Sequence, residues 1–320
     1  MRTRLTDMLG IEHPVMLAGM GGVSFHRLVA AVSDAGGFGT LGAATMSPEE
    51  LADEMAKVRE LTDKPFGVDL LAALPDRMLE GSKQIVAGGA SLFVAGLGVP
   101  RDVIEVLHEG NVLVASMCGK VRHAVAAVEA GCDFVIAQGT EAGGHTGAVA
   151  TMPLVPQIVD AVGGRVPVVA AGGIFDGRGL AAALCLGADG VWVGTRFIAT
   201  PEARTVPGYK DALLRTPEDG TVISKGFTGK TLRAVRNKWT QYIEEHPEEL
   251  APFPEQMVRA IEANALHLGG DENADVDPDK ECYPAGQGVG AIDAIVPAGE
   301  LVRRFVAEAE RALDHVMSVR

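Results

Sequence analysis

The sequence predicts an α/β fold, a (β/α)8 barrel of the TIM class with a small C-terminal helical cap. Eight short apolar runs alternate with helix-like segments, and six of the seven helix-to-strand junctions end in glycine. Glycine makes up 40 of 320 residues, well above the ~7% of ordinary proteins, and the excess gathers at loops. In order, the runs are Pro14–Ala18, Phe38–Leu41, Phe66–Leu70, Ser91–Ala95, Val112–Ser116, Phe134–Gln138, Val166–Ala170 and Gly190–Gly194. Each is largely apolar on both faces and rich in Val, Ile, Leu or Phe, as a buried parallel strand requires.

The intervening segments carry helix signals. Ser47 caps a helix, Pro48 fits its first turn, and Glu50 is placed to close a capping box. Leu51, Met55 and Val58 then form a buried stripe. Gly36, Gly88, Gly110, Gly131, Gly163 and Gly187 follow helices, where a left-handed glycine closes the last turn. Thr62–Pro65 serves the seventh junction. A doubly wound sheet is the rival fold. Gly37-Phe38-Gly39-Thr40-Leu41-Gly42 has dinucleotide-site spacing, but it lies on a strand rather than between a strand and a helix.

From Thr200 prolines and charges rise. Asp211–Leu214, Lys230–Glu245 and Pro254–Leu268 read as helices, Gly269–Glu281 as an acidic loop, and Leu301–Val319 as an amphipathic helix. The expected organisation is a barrel from 1–200 and 284–320, closed by that last helix, with 201–283 as the cap. Pro284–Gly290 is a glycine-rich loop joining them.

Charge and cysteine usage exclude several classes. The net charge of −14 argues against nucleic acid or an anionic membrane as partner. Cys118, Cys132, Cys185 and Cys282 form no metal-ligand spacing and read as reduced cytoplasmic thiols, with no metal site expected. The uncharged run Gln84–Pro100 is too short to span a bilayer, and Asp7 and Glu12 interrupt any signal-peptide region.

In a barrel, function sits on the loops at the carboxyl ends of the strands. Those loops are glycine-rich at Gly19–Gly22, Gly139–Gly147, Gly172–Gly179 and Gly194–Arg196. The last two occupy the usual phosphate position, where backbone N–H groups and a following helix N-terminus favour an anion. His145 differs from the other histidines because Gly143 and Gly144 precede it on such a loop. Its imidazole suits proton transfer near neutral pH, while Glu141 is placed to anchor the loop.

Gln138-Gly139-Thr140-Glu141-Ala142-Gly143-Gly144-His145, with Val168–Gly179 and Gly190–Phe197, resembles the nitronate monooxygenase (2-nitropropane dioxygenase) family. The resemblance runs through most of Met1–Arg215 and returns at Pro284–Ile292. It extends to the related FMN-dependent enoyl-ACP reductases (type II) and NADH:quinone reductases, and it implies a barrel holding FMN non-covalently. By position it implies that Ala18, Gly19, Met20 and Gly21 lie against the isoalloxazine, with Gln138 near the ring. It places Gly172, Gly173, Gly194 and Thr195 around the phosphate, includes Gly143, Gly144 and Ala171 in the cofactor site, and makes His145 the proton-transfer residue.

Three departures bear on substrate. Asp69 stands where the family often has Asn, and a carboxylate donates no hydrogen bond unless protonated. Lys120 is displaced by three positions from the lysine of quinone-reductase-like members. The connection from His145 to Thr151–Pro156 is short, and with Leu232–Lys238 and Ala285-Gly286-Gln287 it looks closer to the enoyl reductases. The expected activity is oxidation of nitronates or nitroalkanes with O2. The alternative is NAD(P)H-dependent reduction of a quinone or of the activated C=C of an enoyl thioester on CoA or a carrier protein. Arg101, Lys120, Arg122 and Arg178 are candidates for the basic rim such a thioester needs. A binding module without catalysis is a third possibility.

Overall fold

The computed structural model describes residues 1–70, 75–96 and 100–319, so positions 97–99 of the uncharged run before Pro100 lie outside the described residues. Its strands are β1 (Val15–Leu17), β2 (Gly39–Gly42), β3 (Phe66–Asp69), β4 (Leu92–Gly96), β5 (Leu113–Cys118) and β6 (Phe134–Gln138), then β7 (Gly144–His145), β8 (Val168–Ala171), β9 (Gly190–Val193), β10 (Thr221–Ser224) and β11 (Leu232–Val235). Every predicted run supplies one barrel strand. Eight strands pair in parallel in the order β1-β9-β8-β6-β5-β4-β3-β2, and a parallel bridge between Met16 and Phe38 closes the circle.

Alternation along the strands builds two apolar layers. Phe66 and Val68 of β3 point outward into the layer beneath the helices. Met16, Phe38, Leu92, Phe134, Ile136, Val169 and Trp192 fill the inside. The same alternation turns Asp69 and Gln138, the last residues of β3 and β6, inward at the carboxyl end. The helix Arg4–Leu9 closes the opposite end by adding Leu5 and Leu9 to the inner layer.

Local predictions hold with informative exceptions. Ser47 Oγ accepts from Glu50 N–H at 3.1 Å, but Glu50 does not supply the second arm of a capping box. Gly36, Gly131, Gly163 and Gly187 are left-handed, whereas after two helices the left-handed residue is the next one, Gly89 and Asn111. Gly110 is instead a close-packing site, since a Cβ there would meet the Val86 methyls at 2.5 Å. The glycines of the dinucleotide-like spacing serve packing too: Gly39 lies against the backbone of Val29 in the helix His26–Asp34.

The segment read as one helix over Lys230–Glu245 contains β11 followed by a shorter helix, Lys238–Glu245. β10 and β11 form an antiparallel hairpin, and β11 pairs in turn with β7. The cap is therefore part sheet, and that sheet includes the histidine loop. Apolar residues recur in Leu232–Val235 on too short a scale for a helix period to be distinguished, and cross-strand pairing decided the outcome. The terminal helix Ala298–Ser318 packs on the helix Gly177–Cys185, with Phe305 stacked on Phe197 at 6.4 Å. All four cysteines are free. Among the described residues no helix is long and apolar enough to cross a membrane.

Candidate active site

The carboxyl end of the barrel carries the glycine-rich loops that follow β1, β6, β8 and β9. Ala18 follows β1 and donates its N–H to Val193 O at 2.9 Å, which joins the first and last loops of the rim. Ser24 Oγ fixes the Gly19–Gly21 turn by donating to Ala18 O at 2.9 Å and accepting from Met20 N–H at 3.2 Å. Gly19 lies directly against the Asp69 side chain, so a larger residue there would displace the carboxyl. Asp69 accepts no hydrogen bond from the described residues, and enclosure without a donor pushes its pKa up to about 8. A raised pKa favours the protonated carboxyl, which has the donor that a carboxylate lacks.

The loop after β6 is held from three sides. Glu141 accepts from Thr151 N–H at 2.8 Å and from Thr151 Oγ1 at 2.9 Å, which ties the loop to the start of the helix Thr151–Val162. This is the anchoring role expected of it. Gly143 abuts Ala285 and Gly286 so closely that a Cβ would sit 2.8 Å from Gly286 N. Gln287 N–H donates to Glu141 O at 2.9 Å, and Gly286 N–H donates to Thr195 Oγ1 at 3.0 Å. The Pro284–Gly290 loop thus fastens the rim after β6 to the rim after β9.

His145 sits in β7, opposite Leu232 of the cap hairpin. Its carbonyl accepts from Gln138 Nε2 at 2.9 Å, and its Nε2 lies 3.0 Å from Thr228 Oγ1. The protein packed around the ring, together with Lys230, lowers its pKa, even though the residue remains solvent-accessible at the edge of the mouth. A neutral imidazole at physiological pH can act as a base.

On the far side, Gly172 and Gly173 are both left-handed, with φ of 101° and 71°. A Cβ on Gly172 would meet Thr151 Oγ1 at 2.9 Å and Gly139 O at 3.0 Å. Among the described residues, the N–H groups of Gly173, Gly194 and Thr195 carry no hydrogen bond. One phosphate expectation needs correction. The helix Gly177–Cys185 does not offer its N-terminus to a ligand. Asp176 accepts from Arg178 N–H at 2.9 Å and Glu308 accepts from Gly177 N–H at 3.0 Å, so protein carboxylates already answer that helix end.

The basic-rim candidates divide. Arg178 is paired with Asp176, and Arg101 donates to Glu129 O at 3.4 Å. Lys120 and Arg122 are exposed at the start of the helix Val121–Ala130 and have no ion pair among the described residues. Lys120 is the N-cap residue of that helix, and Met117 is the inward residue near the end of β5. A cavity of about 320 Å³ runs from Gly172 and Gly173 down between two helices, past Met152, Val155, Phe175 and Leu186; it does not include Asp69, Gln138 or His145.

Two residues at the site escaped the sequence reading. Thr228 touches His145, and Arg233 is buried with Nε donating to Thr140 O at 3.0 Å and Nη1 to Thr221 Oγ1 at 3.1 Å. Both lie on the β10–β11 hairpin, of which the sequence reading assigned only Lys230 onward, as helix, and the β-formers Thr221, Val222 and Ile223 were the available signal.

A family model described as nitronate monooxygenase matches residues 2–86 and 82–308. The chain belongs to the nitronate monooxygenase family. A probable nitronate monooxygenase of Staphylococcus aureus is 34% identical over 320 aligned positions, covering 85% of this chain and 89% of the relative. A Mycobacterium tuberculosis protein named (3aS,4S,5R,7aS)-5-hydroxy-7a-methyl-1-oxo-octahydro-1H-indene-4-carboxyl-CoA dehydrogenase is 43% identical over 245, covering 76% of this chain and 69% of that one. The structure of FabK from Thermotoga maritima superposes with a TM-score of 0.89 at 34% identity, covering 100% of both chains. This nitronate monooxygenase family member is accordingly an enzyme, an oxidoreductase of the flavin-dependent kind.

Proposed function

We propose that the chain is an FMN-dependent oxidoreductase acting on an acyl thioester of CoA or a carrier protein, at the carbons next to the thioester carbonyl. The observation that carries the substrate class is the openness of the mouth beside His145. Among the described residues, the short Thr146–Ala150 connection leaves His145 solvent-accessible. A long substrate with a polar tail can enter from that side, whereas a small anion reacting alone calls for an enclosed, water-excluding pocket. The names of the Mycobacterium relative and of FabK support the same reading.

The rim fits FMN. Unpaired N–H groups at Gly173, Gly194 and Thr195 suit a phosphate, with Gly172 allowing the close turn beneath them. Ala18, Gly19, Met20, Gly21, Gln138, Gly143, Gly144 and Ala171 would line the ring, and protonated Asp69 would donate to it. Bound FMN supplies two-electron chemistry, accepting or giving a hydride. His145 takes the α-proton of a saturated thioester or returns one to the α-carbon of an unsaturated one. Exposed Lys120 and Arg122 provide positive charge for a phosphate-bearing carrier.

Nitronate oxidation with O2 is the second reading, favoured by the family model and the Staphylococcus relatives. The test begins with the purified protein, which should be yellow; failure to take up FMN sinks both readings. Anaerobic NADH or NADPH should bleach the flavin, and crotonyl-CoA should restore its colour. A flavin unmoved by nicotinamides and thioesters, in a protein that consumes O2 with propyl nitronate, overturns the thioester reading in favour of the second.

A further inference from the structure

Thr228 Oγ1 is the meeting point of three polar contacts. Lys230 N lies 3.3 Å away, Lys230 O also 3.3 Å, and His145 Nε2 3.0 Å. A hydroxyl has one hydrogen and two lone pairs. The Lys230 N–H can only donate and takes one lone pair. The Lys230 carbonyl can only accept, and no other described residue donates to it, so it receives the hydroxyl hydrogen. One lone pair is left, and it faces Nε2. All three contacts are hydrogen bonds only if Nε2 carries the hydrogen. Reversing the last bond would take the hydroxyl hydrogen away from Lys230 O, which no other described residue serves.

We infer that Thr228 is a positioning residue that holds His145 as its Nε2–H tautomer and leaves Nδ1 as the nitrogen that exchanges a proton with substrate. The inference rests on the proton-transfer role given to His145 above. A neutral imidazole carries one hydrogen, so with Nε2–H fixed the lone pair is on Nδ1. Nδ1 accepts no hydrogen bond from the described residues, and His145 is solvent-accessible. The main chain is fixed as well, by pairing with Leu232 and by Gln138 Nε2 donating to the His145 carbonyl. Barrel and cap hairpin therefore share in holding the backbone of the histidine, and the hairpin alone holds its ring. That division makes the hairpin, remote in sequence, part of the proton-transfer apparatus.

The test is nitrogen-15 NMR of the histidine-labelled, FMN-loaded protein at neutral pH, with His145→Ala assigning the signal. The expected His145 pattern is a protonated Nε2 and a pyridine-type Nδ1. Thr228→Val, which keeps the shape and removes the hydroxyl, should mix the tautomers. It should also lower kcat about tenfold with little change in KM, part of what losing a general acid or base costs. Thr228→Ser should restore both the pattern and the rate. A protonated Nδ1 in the unaltered protein, or an unchanged tautomer pattern in Thr228→Val, overturns the inference. If Thr228→Val does not fold, the unaltered protein's tautomer decides alone. Full turnover by His145→Ala would instead remove the role proposed for His145, an outcome the tautomer measurement keeps separate.

Discussion

Two aspartates mark the two ends of the barrel. Asp189, just before β9, accepts from Val168 N–H at 3.0 Å and from Arg4 Nη2 at 2.9 Å. Asp69, at the other end of β3, accepts from no described residue, and enclosure raises its pKa to about 8. The surroundings differ in the same sense. At the Asp189 end the helix Arg4–Leu9 drives Leu5 and Leu9 into the inner core. At the Asp69 end backbone hydrogen bonds fasten loop to loop, and N–H groups at Gly173, Gly194 and Thr195 remain unmatched. At the Asp189 end protein donors answer the carboxylate, whereas at the Asp69 end the carboxyl and three loop N–H groups have no described partner, at the end of a barrel where ligands bind.

The largest expected effect tests the open end. His145→Ala should retain FMN and lose about 10²–10⁴-fold in turnover, the contribution of a positioned acid or base; unchanged steady-state rates would remove His145 from the mechanism. The plugged end should respond in stability alone. Leu5 is fully buried, so Leu5→Ala should cost about 2–5 kcal/mol in urea unfolding, with turnover per folded enzyme preserved. A comparable loss of turnover would mean that the two ends are not separate.

A smaller effect probes the cradle. Gly173 is left-handed at φ 71°, and Gly173→Val would force a branched side chain into that conformation at a cost of about 1–2 kcal/mol. Weaker FMN binding, seen as reduced quenching of flavin fluorescence, should exceed any fall in melting temperature. A further effect, read as a pH dependence rather than a single loss, concerns Asp69. Its folded-state pKa of about 8 stands above its ordinary 3.8, so the native state holds the proton more tightly than the unfolded chain. Stability linked to Asp69 is complete below pH 3.8 and drains away as the pH climbs to about 8. Asp69→Asn abolishes this titration, so melting curves of the two proteins should diverge progressively across that window. Parallel curves would show that Asp69 is already ionised in the folded protein.

Much of this protein was legible in its residues because the signals are local. Short apolar runs such as Phe134–Gln138, alternating with helix signals, read as buried strands, and glycine after helices marks their ends, so the eight strands of the barrel were legible in the chain. The position of His145 on a glycine-rich loop was equally visible. Tertiary structure decided what depends on partners distant in sequence. Leu232–Val235 became a strand because His145 and Thr221–Ser224 were there to pair with it. Gly110 proved to be a packing site because Val86 lies against it. Asp176 and Glu308 occupied a helix end that the sequence left open for phosphate. The proton on Asp69 and the hydroxyl at His145 belong to the same class. Each is set by desolvation or by a single hydrogen bond across the fold, and neither leaves a periodicity in the chain.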